Sequence, residues 1–231
     1  MADHPVPGAD TGPDESPRQV LNEWPVWLML ALLWGGSLLV LQYLPERVPI
    51  HWDLHNQVNG WGSRWLAALL LPGVATATYL FLLAMDWGGL DFRAASRMAP
   101  ATKRQLRILV LLLLGVLQAI ILEATLRGGT LRGASLNACI WAFFILFGNL
   151  MPRLEPNGWA GIRIPPTLEN REVWKQTHRF GGKLFVIGGT LLLPTAFLPE
   201  PYPMISLVAG LVLLSLIPIV YAYRLRAALS R

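Results

Sequence analysis

Charge is scarce in this sequence: Asp, Glu, Lys and Arg make up 14% of its 231 residues, against about 25% in a soluble globular domain. Too little polar surface is available for an ordinary water-soluble fold. Cysteine is scarcer still. The single Cys139 sits inside an apolar run, which excludes an intramolecular disulfide scaffold and any cysteine metal cluster. Patterns that would announce common enzyme chemistry are missing too: the chain has no H-E-x-x-H, no G-x-S-x-G and no phosphate loop. What it has in quantity is hydrocarbon, with 54% hydrophobic residues and a mean hydropathy of +0.45. That composition marks an integral membrane protein. The formal charge of +5 does not indicate nucleic acid, because the basic residues fall in small groups beside apolar runs and form no single stripe.

Residues 1–23 hold four prolines, two glycines and five acids against Arg18, with no apolar period. They read as a solvated, disordered acidic tail. A cleaved signal peptide would begin with a basic segment, so the first apolar run is expected to remain as an anchor. Six runs can cross a hydrocarbon core about 30 Å thick at about 1.5 Å per helical residue: Trp24 to Leu44, Trp65 to Trp87, Ile108 to Leu126, Ser135 to Met151, Lys183 to Leu198 and Met204 to Tyr223. They are continuously apolar, without the alternation of barrel strands, so helices are expected. Basic residues accumulate on the cytoplasmic side of a membrane. With both termini inside, fifteen of the nineteen Lys and Arg fall on the inner side. The fold expected is an all-α, polytopic six-helix bundle, divided into a tail (1–23), a two-helix module (24–107) and a four-helix module (108–231).

Two connections exceed the usual helix–helix loop of about 2–8 residues. The outer one runs from Pro45 to Arg64 and the inner one from Pro152 to Gly182; both mix aromatics, prolines and glycines with hydrogen-bonding groups, as folded caps do. In the outer loop His51 and His55 lie four apart beside Asp53. Pro49, Asn56 and Gly60 interrupt a helix there and no third ligand accompanies the pair, so no metal site is assigned. In the inner loop Thr167 is the expected N-cap of a helix from Leu168 to Phe180, stopped by Gly181-Gly182. On that helix Trp174 and His178 can stack, Val173, Trp174, Thr177 and Phe180 share a face, and Arg171, Lys175 and Arg179 form a basic edge for anionic headgroups. Arg163, set between apolar residues at the membrane edge, is expected to take a carboxylate or carbonyl partner. Glu123 and Asp86 are candidate proton-relay groups, and Gln118, Asn137 and Asn149 candidate interhelical hydrogen-bonding groups.

The inner stretch carries a resemblance. Gly148-Asn149 and Pro152, Pro156-Asn157-Gly158, Gly161-Ile162-Arg163, Thr167-Leu168, and Trp174 followed by Thr177-His178 and Gly181-Gly182 resemble, in order, the signature of the SdpI family of bacterial toxin-immunity membrane proteins. The outer Pro49-Ile50-His51-Trp52 with Asn59-Gly60-Trp61 resembles a small module of unknown function that often precedes it. Pro166 stands where that signature usually has tryptophan, and Asn56 and Asn59 where glycine and aspartate are usual. The resemblance implies a multi-pass plasma-membrane protein that protects its cell from a membrane-active peptide toxin and can hold a cytoplasmic transcriptional repressor at the membrane. It nominates His51, Trp52, Asn59, Gly60, Asn149, Asn157, Gly161, Arg163, Thr167, Trp174, Thr177, His178, Gly181 and Gly182 as partner-binding residues, the outer set facing toxin and the inner set facing repressor. Gly181-Gly182 is then the expected hinge coupling the two. No catalytic residue, metal or cofactor is assigned, and no direct contact with nucleic acid. A small transporter or exporter is the alternative, and a membrane hydrolase a third; both call for polar groups that these spans largely lack.

Overall fold

The computed structural model describes residues 23–53, 55, 57–86 and 98–230. Six long helices carry the chain: α1 (Trp24–Leu41), α2 (Arg64–Asp86), α3 (Pro100–Leu126), α4 (Gly133–Leu150), α5 (Arg171–Leu192) and α6 (Tyr202–Leu229). Each is long and apolar enough to cross a membrane, and the protein is a multi-pass membrane protein. The expected tail at 1–22, and the segment after α2 that includes Trp87, lie outside the described residues. Prolines in the first turns of α1, α3 and α6 fit positions whose backbone N–H would have no helical partner. Inside α2, Pro72 has no N–H for the Ala68 carbonyl one turn back, and Gln118 of the neighbouring span supplies a donor to that carbonyl at 3.2 Å.

Four features depart from the expected elements. α3 begins at Pro100 rather than Ile108, so a cationic first turn extends the span beyond its apolar run. The outer loop is not irregular: β1 (Arg47–Trp52) and β2 (Val58–Ser63) pair antiparallel. Glu23 is not a solvated tail residue, since its carboxylate is 4% exposed and binds the buried Arg107 guanidinium through Nε at 3.2 Å and through Nη2. The largest change concerns the fifth span, where the separate cap helix and the Lys183–Leu198 span are one continuous helix, Arg171–Leu192, extended by a 3-10 turn at Leu193–Phe197.

Helix α3 joins two groups of spans. Its Leu111 packs with Val26 and Leu30 of α1 and Ala75 and Tyr79 of α2, while Leu106 and Leu109 join Trp141, Trp174, Phe185, Leu207 and Leu214 of the other three spans. Hydrocarbon surrounds a bundle on its outside, so burial of apolar surface does little to hold helices together and polar contacts gain importance. Gln118 of α3 supplies one: its Nε2 donates to Ser37 Oγ at 3.0 Å on α1 and to the Ala67 and Ala68 carbonyls at 3.0 and 3.2 Å on α2. Asn137 of α4 supplies another, donating to the Pro203 carbonyl at 2.7 Å and Ser206 Oγ at 3.1 Å. Both are interhelical ties, as expected. Asn149 is not: its amide donates to Ile145 O, one turn back on its own helix, and its side chain is exposed.

Gly181-Gly182 does not end a helix. A Cβ on Gly182 would stand 2.6 Å from the Gly148 carbonyl oxygen, and one on Gly148 would stand 2.7 Å from the Gly182 oxygen. The backbones of α4 and α5 touch there, a contact that only hydrogen at both α-carbons allows. This is a packed crossing inside a helix, so the expected hinge is replaced by a rigid joint.

Candidate functional site

The inner signature forms a closed cap at one end of the bundle, built up from its turns. After α4, a 3-10 turn (Met151–Arg153) leads into a loop organised by Asn157. The Asn157 amide is 3% exposed; its Oδ1 accepts from Trp159 N at 2.9 Å and Ala160 N at 2.7 Å, and its Nδ2 donates to the Glu155 and Ala160 carbonyls at 2.8 and 3.1 Å. Every polar site on that side chain is therefore used. The chain then passes over the His178 ring through Gly161, at φ +103°, where a Cβ would stand 2.3 Å from His178 Nε2. Any other residue would be strained in backbone and blocked in space.

His178 is held on three sides. Its Nε2 accepts from Ile162 N at 3.0 Å and its Nδ1 donates to the Trp174 carbonyl at 2.9 Å, which sets the neutral ring with its proton on Nδ1. The ring stacks on Trp174 with centroids 4.0 Å apart and planes at 18°, the stacking expected from their spacing. Trp174 is wholly buried and its indole N–H donates to the Leu154 carbonyl at 2.7 Å. Thr167 is not the N-cap of a long helix. It lies in a short helical turn (Pro165–Glu169), where its hydroxyl accepts from Ile164 N at 3.1 Å and donates toward the Ile162 and Ile164 carbonyls at 2.7 and 2.9 Å. Asn170 caps α5 instead, accepting from Glu172 N and Val173 N at 2.8 and 3.1 Å.

Asn157, Thr167, Trp174, Thr177, His178, Gly181 and Gly182 are all buried. They are interior parts of the cap and not surfaces that a partner could meet in this arrangement. The imidazole has neither a free lone pair nor a free N–H to activate a nucleophile or bind a metal. Arg163 departs from its expected role: it is exposed, and among the described residues it has no hydrogen-bond or ion-pair partner. Lys175 and Arg179 are exposed on α5, while Arg171 pairs with Glu155 at 2.9 Å and Arg226 of α6 with Glu169 at 2.6 Å. Phe180, on one face with Val173 and Thr177 of α5, is half-buried and stacks on Tyr221 of α6 at 4.3 Å.

At the opposite end of the bundle the β-hairpin carries the outer residues. His51 pairs with Gly60, and a Cβ on Gly60 would stand 2.8 Å from the His51 Cβ; its Nδ1 donates to Asn59 Oδ1. Asp53 accepts from Gln57 N and His55 N at 2.9 and 2.8 Å, and these two backbone N–H groups, Gln57 first, hold its carboxyl below the usual carboxylate range. Both N–H groups meet the same oxygen, Oδ1, and shape the turn. Trp52 is half-buried and its indole N–H donates to the Gly129 carbonyl at 2.8 Å, tying the hairpin to the loop between α3 and α4. Trp52 is thus an anchor, whereas His51, Asn59 and Trp61 are exposed. Glu123 pairs with Arg127 one turn on, at 2.8 Å and partly exposed, which removes the basis for a relay. The Asp86 side chain and Asn56 lie outside the described residues. Sequence reading missed the Asn170 cap, though Asn followed by Glu two residues on is a helix-start signal. It also missed the Glu23–Arg107 pair, for which a sequence separation of 84 leaves no local sign.

A bundle of six membrane-spanning helices with a sheet-capped end and a hydrogen-bonded loop cap defines a polytopic membrane protein. Comparison with known proteins places it further. Residues 153–222 match the SdpI/YfhL protein family and residues 28–76 match a domain of unknown function, DUF1648. The Immunity protein SdpI of Bacillus subtilis (strain 168) is 27% identical over 190 residues, covering 82% of this chain and 88% of that protein. No solved structure matches. The chain is thus similar to this family over residues 153–222 and to the Bacillus subtilis immunity protein over most of its length.

Proposed function

We propose that this protein is a non-catalytic membrane immunity protein that protects its cell from a membrane-active peptide toxin. The observation that carries the reading is the likeness to an immunity protein that runs through both modules, over 82% of the chain. The chemistry of the cap agrees with it: His178, the side chain best suited to acid–base work there, has both ring nitrogens engaged in holding the loop. The toxin meets the exposed face of the outer hairpin at His51, Asn59 and Trp61, and a cytoplasmic repressor meets the basic rim of Arg163, Lys175 and Arg179. Both termini are cytoplasmic, supported by the fifteen-to-four division of Lys and Arg.

The orientation has its own test. With Cys139→Ala as background, Ser63→Cys should react with an impermeant maleimide added to intact cells, and Lys175→Cys should react only after lysis. Labelling of position 175 in sealed cells would reverse the orientation. Protection is tested in a host killed by a secreted membrane-active peptide toxin. Expression of this chain should restore growth. Trp61→Ala should reduce the protection at unchanged protein abundance, because its side chain is 54% exposed. Killing equal to that of vector-only cells, with the protein present in the membrane, would overturn the immunity reading.

A further inference from the structure

Asn149 and Arg153, at the signature end of α4, take no part in the cap network and instead line a crevice between α3 and α4. Two adjoining cavities make it up. One of about 300 Å³ is bounded by Gln105, Asn149 and Arg153 at its mouth, and by Leu109, Leu112 and Leu146 within. The other, of about 120 Å³, shares those three leucines and continues to Phe143. The mouth is polar and the interior is hydrocarbon.

The charge at the mouth is one-sided. Arg153 Nη1 donates to the neutral Gln105 amide oxygen at 3.1 Å, and among the described residues no carboxylate pairs with this guanidinium. It lies just past the end of the apolar α4, where a helix that crosses the bilayer meets the headgroups. From Arg153 to Leu146 is about 10 Å along the helix and to Phe143 about 15 Å, which matches half of a hydrocarbon core about 30 Å thick. A small water-soluble anion would satisfy the mouth and leave the crevice empty. A zwitterionic lipid would bring a cation of its own to Arg153. A molecule with an anionic phosphate and one long apolar chain uses both parts.

We infer that the α3–α4 crevice binds an anionic phospholipid of the bilayer, with its phosphate on Arg153 beside Asn149 and Gln105 and one acyl chain along Leu109, Leu112 and Leu146. Guanidinium donors suit phosphate oxygens, and basic crevices between spans select anionic headgroups in this way. The site borders the signature cap, sharing its 3-10 turn at Arg153, and is independent of the immunity reading.

The test uses the full-length protein, delipidated in mild detergent and titrated in native mass spectrometry with phosphatidylglycerol, phosphatidylcholine of the same chains, and glycerol phosphate. Phosphatidylglycerol should bind most tightly, and glycerol phosphate should neither bind nor compete. Arg153→Gln should weaken phosphatidylglycerol about fivefold, the effect of one basic residue at an anionic surface. Leu146→Trp, which fills the crevice from an exposed position, should weaken it without touching the charge. Arg224→Gln, an exposed cation at the end of α6, should have no effect. Equal binding of the two phospholipids, equal loss with Arg153→Gln and Arg224→Gln, unchanged binding in Leu146→Trp, or binding of glycerol phosphate as tight as the lipid would each overturn the inference.

Discussion

Gly161→Ala is expected to lower the stability of the protein by about 2–6 kcal/mol, from backbone strain of about 1–3 kcal/mol and loss of a buried hydrogen bond whose partners are left unpaired, about 1–3 kcal/mol more. The residue sits at φ +103°, and the new Cβ would stand 2.3 Å from His178 Nε2. The ring is held against that push by its Nδ1 bond to the Trp174 carbonyl at 2.9 Å and by the Trp174 stack at 4.0 Å. The Ile162 N–H to His178 bond must therefore break. That loss is a large part of a typical total of about 5–15 kcal/mol, so thermal unfolding in detergent should shift down sharply and membrane yield should fall. Gly115→Ala is the control. Its Cβ meets nothing within 4 Å, and the exchange should leave the melting curve unchanged or raise it slightly through helix propensity. Equal melting of Gly161→Ala and the parent would show that the loop does not pass over the ring.

Trp174→Ala is expected to cost a similar amount, about 3–5 kcal/mol for a buried tryptophan. Its side chain is fully buried, and its removal opens a cavity, unstacks His178 and leaves the Leu154 carbonyl without its donor at 2.7 Å. Trp174→Phe separates these effects. The ring surface remains and only the indole N–H is lost, so the destabilisation should fall to about 1–3 kcal/mol. Parent, Phe and Ala should melt in that descending order. An Ala variant that melts like the parent, with the loop open to protease in the native state, would reduce the cap to a tether.

Much of the architecture was legible in the sequence because a bilayer imposes long apolar runs. All six spans appear, and Trp24, Trp27 and Trp65 lie exposed near span ends as interfacial residues do. What the runs could not give were helix ends in water, where hydrocarbon no longer decides: α3 starts eight residues early in a cationic turn, and α5 runs through the signature into the membrane. Gly181-Gly182 shows the difficulty. Two adjacent glycines read locally as a helix stop, and only the approach of α4, through Gly148, reveals them as a crossing. The same limit applies to the candidate residues. Their identities were readable, and so was the Trp174–His178 stack, but spacing carries no sign of burial. Residues chosen as contacts, such as His178 and Thr167, proved to be the hydrogen-bonded interior, and Trp52 an anchor. The hairpin was missed because its prolines, glycines and histidines suggested irregular structure, although β2 alternates half-buried and exposed positions along Val58–Ser63.

The account rests on the signature being the inside of a folded cap, and the reactivity of its histidine tests that most directly. In the native protein, diethyl pyrocarbonate followed by peptide mass spectrometry should modify the exposed His55 readily. His178, 1% exposed with both ring nitrogens bonded, should stay unmodified until the protein is denatured, and then react as fast as His55. Modification of His178 at the rate of His55 in the native protein would contradict the closed cap and return the signature to the surface as a docking site.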